Sequence, residues 1–347
     1  MTQRQRKPGV RPAFTLVELL VVITIIAILV SLTTAAVMRG LVKGPELQCS
    51  SEIGELQSKL SSAISNAHVS KVPSRLHLSK RNNYSGSQLD LDSKAYLIER
   101  FGKHTCFDFQ NLPLSNPNFI DWNGDGNDKE ELYLEGQQCL VFHLGGIPIN
   151  NPANTVPPPQ TPGIITMAGF SNNQQNPALA PSASGTDRRQ GPYFEFQSNR
   201  LVAFTSQAFQ GVNFPVLPGF GYGSYPIYWD NWTRPGGNAN RQPYAFFASY
   251  NLEGGGLYSD ATHKYGSSDC PSLFTAPPLP PAPPSTPLQP YAASAGFMNP
   301  SSFQIISAGR DGKFGATAGW NPRTGTTDPA GADDQSNFSA HLLGVAP

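Results

Sequence analysis

Charged residues and enzyme signatures are both scarce in this sequence. Asp, Glu, Lys and Arg make up 14% of its 347 residues, while hydrophobic residues make up 39%. The chain contains no G-x-S-x-G nucleophile elbow, no P-loop and no H-E-x-x-H metal signature, and its six histidines are scattered. These absences argue against a serine hydrolase, a P-loop enzyme and a zinc protease, so we expect a protein without enzymatic activity.

Cysteine is scarce as well. The four cysteines are Cys49, Cys106, Cys139 and Cys270, and no two of them form a C-x-x-C pair. This spacing therefore argues against a zinc ribbon. In an exported protein the four cysteines allow three disulfide pairings. The sequence does not choose among these pairings, nor between disulfides and buried free thiols.

The charges are unevenly distributed along a chain of formal net charge zero. Residues 1–13 contain four basic residues and no acid, which leaves 20 basic and 24 acidic residues and a charge of about −4 beyond them. A mildly acidic body has no electrostatic footprint for nucleic acid, and we expect no such partner. Glycine and proline, 33 of each, are typical of a loop-rich extracellular protein.

One long apolar run stands near the N-terminus. Residues 19–38 carry no charge, and a helix of that length is about 30 Å long, which matches the hydrocarbon core of a bilayer. Basic residues precede the run, so we expect a single-pass inner-membrane protein with a cytoplasmic N-terminus and an extracytoplasmic body. A secretory signal peptide and a plain signal anchor are the alternatives.

Glu18 separates these alternatives, because neither accounts for an acid in the apolar segment. A carboxylate near a bilayer centre costs at least about 2.5 kcal/mol. Cleavage after Ala13 would create a cation, the α-amino group of Phe14. Glu18 lies four residues further on, on the same helix face. It can therefore pair with its own N-terminus or with that of a neighbouring helix.

The string from Ala13 to Leu20, AFTLVELL, resembles the prepilin processing motif of type IV pilins and type II secretion pseudopilins. The resemblance implies that residues 1–13 form a leader, and that prepilin peptidase cuts before Phe14 and methylates the new N-terminus. It also implies that Glu18 docks the subunit onto other pilin or pseudopilin subunits. The family usually has glycine before the cut, whereas this chain has Ala13.

The resemblance also implies an α+β fold, with a long N-terminal transmembrane and assembly helix over residues 14–67 packed on an antiparallel sheet. A break is expected at 44–45, because Gly44-Pro45 interrupts the helix. Beyond it, an apolar stripe at helical spacing predicts the packed face. The stripe consists of Cys49, Ile53, Leu56, Leu60, Ile64 and Ala67.

Residues 68–347 are expected to form the extracytoplasmic pilin-like globular domain, with long Pro/Gly-rich loop inserts at 148–192 and 271–290. Residues 135–144 fit either a short helix or a strand. Aromatic and β-branched runs predict strands. These runs lie at 193–196, 201–204, 225–229, 244–250 and 303–307.

Two acidic loops are candidate calcium sites. The first follows the D-x-N-x-D-G spacing of calcium loops, although its twelfth position is Leu132 rather than a glutamate; an ordinary turn is the alternative. Its candidate ligands are Asp121, Asn123, Asp125 and Asn127. The second resembles the C-terminal calcium loop of major pseudopilins, with Asp311, Asp333 and Asp334 as candidate ligands, and a solvated loop is the alternative.

The function expected from the resemblance is that of a structural subunit of a type IV pilus or type II secretion pseudopilus. The alternative is an unassembled, membrane-anchored surface module that binds calcium or carbohydrate. A membrane-anchored extracellular hydrolase has no motif to support it. The sequence does not distinguish a pilus from a pseudopilus, nor a major from a minor subunit.

Overall fold

The computed structural model describes residues 15–69, 72–82, 84, 87–102, 119–149, 165–173, 175–182, 187–205, 221–232, 234, 241–249, 269–275, 286–293, 296–315, 320–321, 323–326 and 328–344. The chain divides into two compact units, Met1–Leu47 and Gln48–Pro347. The first contains the apolar N-terminal segment, and the second contains the hydrophobic cores and the sheets.

The α-helices of the described residues are α1 (Leu16–Ala67), α2 (Gln88–Phe101) and α3 (Gly136–Gly145). The break expected at 44–45 is wrong, since α1 continues through Pro45. A proline removes one backbone hydrogen bond, and good helix formers such as Glu46 and Leu47 follow it. An ion pair of 2.8 Å between Lys43 and Glu46 joins the two sides of the proline within one turn.

The described strands are short. They are β1 (Leu76–Ser79), β2 (Glu130–Leu134), β3 (Pro148–Ile149), β4 (Thr166–Met167), β5 (Phe170–Ser171), β6 (Arg189–Gln190), β7 (Leu201–Phe204), β8 (Gly221–Tyr222), β9 (Tyr225–Tyr228), β10 (Ala245–Ala248), β11 (Cys270–Phe274), β12 (Pro287–Leu288), β13 (Ala292–Ala293), β14 (Gly296–Phe297), β15 (Phe303–Ser307) and β16 (Gln335–Ser336).

Antiparallel pairing predominates among these strands. One three-stranded sheet has the order β1-β2-β8, in which β2 and β8 are parallel; another has the order β10-β15-β16 and is antiparallel throughout. The pairs β3-β4, β5-β6, β7-β9, β11-β12 and β13-β14 are antiparallel. Helices combined with mainly antiparallel sheets confirm the expected α+β class.

Two hydrophobic cores lie on opposite faces of β10. Phe246 belongs to the larger core with Cys49, Ile53 and Leu56 of α1, whereas Phe247 belongs to the smaller one. Successive side chains of a strand point to opposite faces, so one short strand closes both cores. The predicted stripe is confirmed, because Cys49, Ile53, Leu56, Leu60 and Ala67 are buried and Ile64 is partly buried against them.

Most of the other predicted helices and strands are confirmed, and one predicted strand is wrong. The segment at 135–144 is a helix, α3, and strands occur in four of the five predicted runs, as β7, β9, β10 and β15. Residues 193–196 form no strand, because Phe194 and Phe196 pack edge to face against Tyr228 instead of joining a ladder.

The two expected inserts are only partly described. Residues 150–164, 183–186 and 276–285 lie outside the described residues. The described ends of the second insert form β11 and β12, which pair with each other and bury Leu273 and Leu288 in the smaller core. The ends of this insert therefore contribute to the smaller core.

Candidate functional site

The first turn of α1 is organised by a contact between Thr15 and Glu18. The Thr15 backbone N–H and hydroxyl both donate to Glu18 Oε2, at 2.8 and 2.9 Å, and the Glu18 N–H donates to Thr15 Oγ1 at 3.2 Å. This reciprocal arrangement is a capping box, which satisfies donors that every helix start leaves unpaired. Ala13 and Phe14, the predicted processing residues, lie outside the described residues.

The segment that follows is apolar on every side. Residues Leu16–Thr34 of α1 have a mean hydropathy of 2.8, and by length and composition they suffice to cross a membrane. None of this segment is buried against protein. A helix that is hydrophobic all round needs either a protein core or a lipid environment, and no protein core covers it within the described residues.

A family model for the prokaryotic N-terminal methylation motif matches residues 11–34. This motif is the signature of prepilin-processed, type IV pilin-like proteins. The N-terminal segment is a prepilin-type segment. Its apolar helix and its motif fit a single-pass, membrane-anchored pilin-like protein. No curated protein and no solved structure matches the chain.

Within the folded unit, a buried polar cluster holds the second half of α1. Glu52 accepts two hydrogen bonds from Arg200, both of 2.7 Å, and further bonds from the hydroxyls of Tyr228 at 3.0 Å and Tyr244 at 2.5 Å. The Arg200 guanidinium also lies 4.2 Å from the centre of the Tyr228 ring. The cluster fixes this part of α1 to β9 and to the chain before β7 through charge-assisted bonds.

Sequence reasoning missed Glu52, although one signal pointed to it. Glu52 lies three residues after Cys49 and next to Ile53, so it falls at the edge of the apolar stripe. An acid at such a position requires a buried partner. The partner, Arg200, is 148 residues away in sequence, and no local pattern identifies it.

At the first predicted calcium loop the structure places the ammonium group of Lys80. This side chain is fully buried, and its Nζ donates to Asp125 Oδ1 at 2.7 Å, to the Asn127 carbonyl at 2.7 Å, to Glu130 Oε1 at 3.0 Å and to Asp121 Oδ1 at 3.4 Å. Three of the four predicted ligands therefore face a cation supplied by the chain itself.

The fourth predicted ligand, Asn123, donates from Nδ2 to Asp125 Oδ2 at 2.6 Å and to Glu130 Oε1 at 3.2 Å. Burial opposes ionisation of Asp125, but hydrogen bonds to Glu130 and Lys80 lower the pKa of its carboxyl group. Burial and the Asp125 carboxylate raise the pKa of Glu130. A dication bound by these same oxygen atoms would have to displace Lys80, so the loop as it stands does not fit calcium.

The second predicted loop brings its three aspartates into one neighbourhood. Asp333 Oδ2 accepts from the Asp311 N–H at 2.9 Å, and Asp334 Oδ2 accepts from the Gly315 N–H at 3.0 Å and the Tyr291 hydroxyl at 2.8 Å. Burial is the main cause that raises the pKa of both Asp311 and Asp334. Asp334 Oδ1 is buried and has no hydrogen-bond partner within the described residues.

Neither loop holds a preformed metal cluster in the part of the chain that the structure describes, where no group of three or more His, Cys, Asp or Glu side chains is arranged around a common point. In the second loop, Asp334 Oδ1 nevertheless has no partner among the residues that the structure describes. Calcium stays an untested prediction for the second loop, whereas in the first loop Lys80 takes the place of the cation.

Three of the four cysteines, Cys49, Cys139 and Cys270, are buried free thiols. Burial raises the pKa of Cys49 to about 12 and raises that of the other two as well, so all three stay protonated at neutral pH. Cys106 lies outside the described residues.

A second buried polar cluster, which sequence reasoning also missed, surrounds His77. Its Nδ1 is 2.6 Å from Asp90 Oδ1 and its Nε2 is 3.0 Å from Glu131 Oε2, and the ring stacks on Tyr133. Burial disfavours the imidazolium, but the hydrogen bonds to both carboxylates raise the pKa of His77 to about 9. The charged imidazolium therefore joins β1, β2 and α2.

Proposed function

We propose that the chain is a structural subunit of a type IV pilus or type II secretion pseudopilus. In this proposal prepilin peptidase cuts before Phe14, and α1 carries the subunit into a filament of pilin or pseudopilin subunits. The observation that carries the proposal is the N-terminal methylation motif at residues 11–34, with Glu18 in the first turn of an otherwise apolar helix. The role is structural rather than catalytic.

The buried cluster around Glu52 supports a role in a filament. A subunit that is held in an assembly by its N-terminal helix needs a firm link between that helix and its folded domain. Residues 49–60 of α1 are held within the folded unit by the buried stripe and by the bonds that Glu52 accepts from Arg200, Tyr228 and Tyr244. The basic residues before the apolar segment favour a cytoplasmic N-terminus and an extracytoplasmic domain.

Substitutions at Glu18 and Thr15 separate the charge of Glu18 from its capping role. Glu18→Gln keeps an oxygen that accepts from Thr15 but removes the charge, whereas Thr15→Val removes the capping hydroxyl and keeps the charge. If the carboxylate docks the subunit on an N-terminal amine, Glu18→Gln reduces incorporation into sheared filaments and Thr15→Val leaves it near the wild-type level.

The measurement is the ratio of subunit in sheared filaments to subunit in membranes of the native host. Equal incorporation of Glu18→Gln and wild type would remove the docking role and favour the alternative, an unassembled membrane-anchored surface module that binds calcium or carbohydrate. If Thr15→Val lowers incorporation into filaments and Glu18→Gln does not, Glu18 has a capping role only.

Calcium binding at the second loop is a further part of the proposal. The observation that favours it is the buried Oδ1 of Asp334, which has no hydrogen-bond partner among the described residues and lies close to Asp311 and Asp333. Carboxylate and carbonyl oxygens are the ligands that calcium takes in proteins. A bound dication would offset the mutual repulsion of these three carboxylates.

A further inference from the structure

A polar depression of about 390 Å³ lies at the C-terminal end of α2. Its size falls within the range of small-molecule sites, about 300–1,000 Å³. Its lining comes from α2, from β5 and the two residues that follow it, and from β6. The lining residues are Arg100, Phe101, Ser171, Asn172, Asn173 and Gln190.

Arg100 is the central feature of this depression. Its side chain is buried, with 5% of the residue exposed, and its guanidinium carbon lies 4.8 Å from the centre of the Phe170 ring. Nη1 donates to the Tyr96 hydroxyl at 3.3 Å. Within the described residues, Nε and Nη2 have no hydrogen-bond partner. Buried N–H donors of a charged side chain are rarely left without an acceptor, so these two groups call for a ligand.

The two free groups of Arg100 form one edge of the guanidinium. The Nε–H and the nearer Nη2–H point in the same direction and match the two oxygens of a carboxylate in a bidentate contact. Nη1, on the opposite side, is already bonded to Tyr96. Within the described residues, the edge without a partner is therefore the edge whose geometry matches a carboxylate.

Gln190 adds a buried acceptor to the depression. Its Oε1 is buried and unpartnered within the described residues, so it needs a donor. A ligand that satisfies both residues must carry a carboxylate for Arg100 and a hydroxyl or similar donor for Gln190. Ser171, Asn172 and Asn173 add further short polar side chains at the same depression.

The wall that carries Gln190 is held in place by the neighbouring Arg189. Its Nε and Nη2 donate to the carbonyls of Ala168 at 2.7 Å and Gly169 at 2.9 Å, and its Nη1 donates to the carbonyl of Leu179 at 2.9 Å. The antiparallel pairing of β5 with β6 sets Ser171 opposite Arg189. The depression is thus built on fixed backbone, which keeps its polar groups preorganised for a ligand.

We propose that this depression binds a sugar acid, a hydroxylated ring that carries a carboxylate, with the carboxylate on Arg100 and a ring hydroxyl on Gln190. The partly exposed ring of Phe101 offers an apolar surface for the carbon face of the sugar. This site is independent of processing and filament assembly, so the two proposals stand or fall separately.

The test is isothermal titration calorimetry of the full chain in detergent with galacturonate, galactose and acetate. Galacturonate carries both groups, galactose lacks the carboxylate, and acetate lacks the ring. We expect saturable binding of galacturonate that is at least ten-fold tighter than that of galactose or of acetate. Asn172→Asp, an isosteric change at an exposed lining residue, places a negative charge at the depression and should weaken galacturonate binding at least ten-fold.

Asn199→Asp is the matched control, since Asn199 is exposed and outside the lining, and it should leave binding unchanged. Arg100→Lys keeps the charge but removes the bidentate edge, and it too should weaken binding. The absence of galacturonate binding at millimolar concentration would overturn the proposal. If galactose bound as tightly as galacturonate, Arg100 would have no role in recognising a carboxylate. If acetate bound as tightly as galacturonate, the sugar ring would contribute nothing to binding.

Discussion

Glu52 of α1 and Arg200, which precedes β7, form a bidentate ion pair with two contacts of 2.7 Å. The pair is largely buried and carries the Tyr228 and Tyr244 hydroxyls on the same carboxylate. Because both contacts require one relative orientation, the pair fixes the position of α1 along the sheet. Removal of one residue of the pair would leave the other charged, buried and without a counterion, which destabilises the fold.

Glu52→Gln should therefore destabilise the protein. We expect a loss of about 3–5 kcal/mol in the free energy of unfolding, because Arg200 would keep its charge without a counterion. Glu55→Gln is the matched control on the same helix, since Glu55 is exposed, and it should change stability by less than about 0.5 kcal/mol. Urea unfolding of full-length chains checks both values, and equal effects of the two substitutions would contradict the account.

Lys80→Met should destabilise the first acidic loop and make it sensitive to calcium. Removal of the ammonium leaves the carboxylates of Asp121, Asp125 and Glu130 facing one another, which we expect to cost about 3–5 kcal/mol. Millimolar calcium should restore part of the lost melting temperature. Lys59→Met, a change at an exposed lysine of α1, is the control without effect. A stable, calcium-indifferent Lys80→Met protein would show that Lys80 is not the cation of this loop.

Calcium should raise the melting temperature of the wild-type chain through the second loop. Binding to the native state alone stabilises it, and extracellular calcium modules bind at about 10⁻⁴–10⁻³ M. The comparison is between millimolar calcium and a chelator. Asp311→Asn combined with Asp333→Asn should remove the shift, whereas Asp121→Asn should leave it in place. A melting temperature that does not respond to calcium would favour the alternative for this loop, a solvated loop without a metal ion.

Stability should fall as the pH rises from about 6.5 to about 9 because of His77. Its pKa is about 9 in the folded protein, against 6.5 for a free histidine. The folded state thus holds a proton that the unfolded chain releases, so this contribution is complete below pH 6.5 and lost above pH 9. His77→Gln should flatten the profile in this window, while His341→Gln, at an exposed position, should not. An unchanged profile in His77→Gln would refute the charged imidazolium.

Much of the architecture could be predicted from local patterns. The stripe from Cys49 to Ala67 and strand β15 at 303–307 follow the helix and strand periods, which depend only on side-chain spacing. Helix α2 could also have been found, since Ser87 and Asp90 form a capping box before an apolar-periodic segment. The break predicted from Pro45 was wrong, because the loss of one backbone hydrogen bond does not end a helix of 52 residues.

The polar clusters could not be predicted, because their partners are far apart in sequence. Lys80 reaches Asp121 and Asp125 across about 40 residues, and Glu52 reaches Tyr244 across 192. A D-x-N-x-D-G pattern describes oxygens that converge, and it does not say whether the cation they meet is a metal ion or a lysine. That choice depends on β1, which brings Lys80 to the loop.

The central claim is that the chain is processed as a prepilin, and the mass of its N-terminal peptide tests it most directly. Mass spectrometry of the protein from its native host should find a mature N-terminus at Phe14 that carries one methyl group on its amine. Deletion of the prepilin peptidase gene should leave residues 1–13 attached. A mature chain that keeps these residues in the presence of the peptidase would contradict the account. So would a chain cut near Ala36, at the end of the apolar run, as a secretory signal peptide would be.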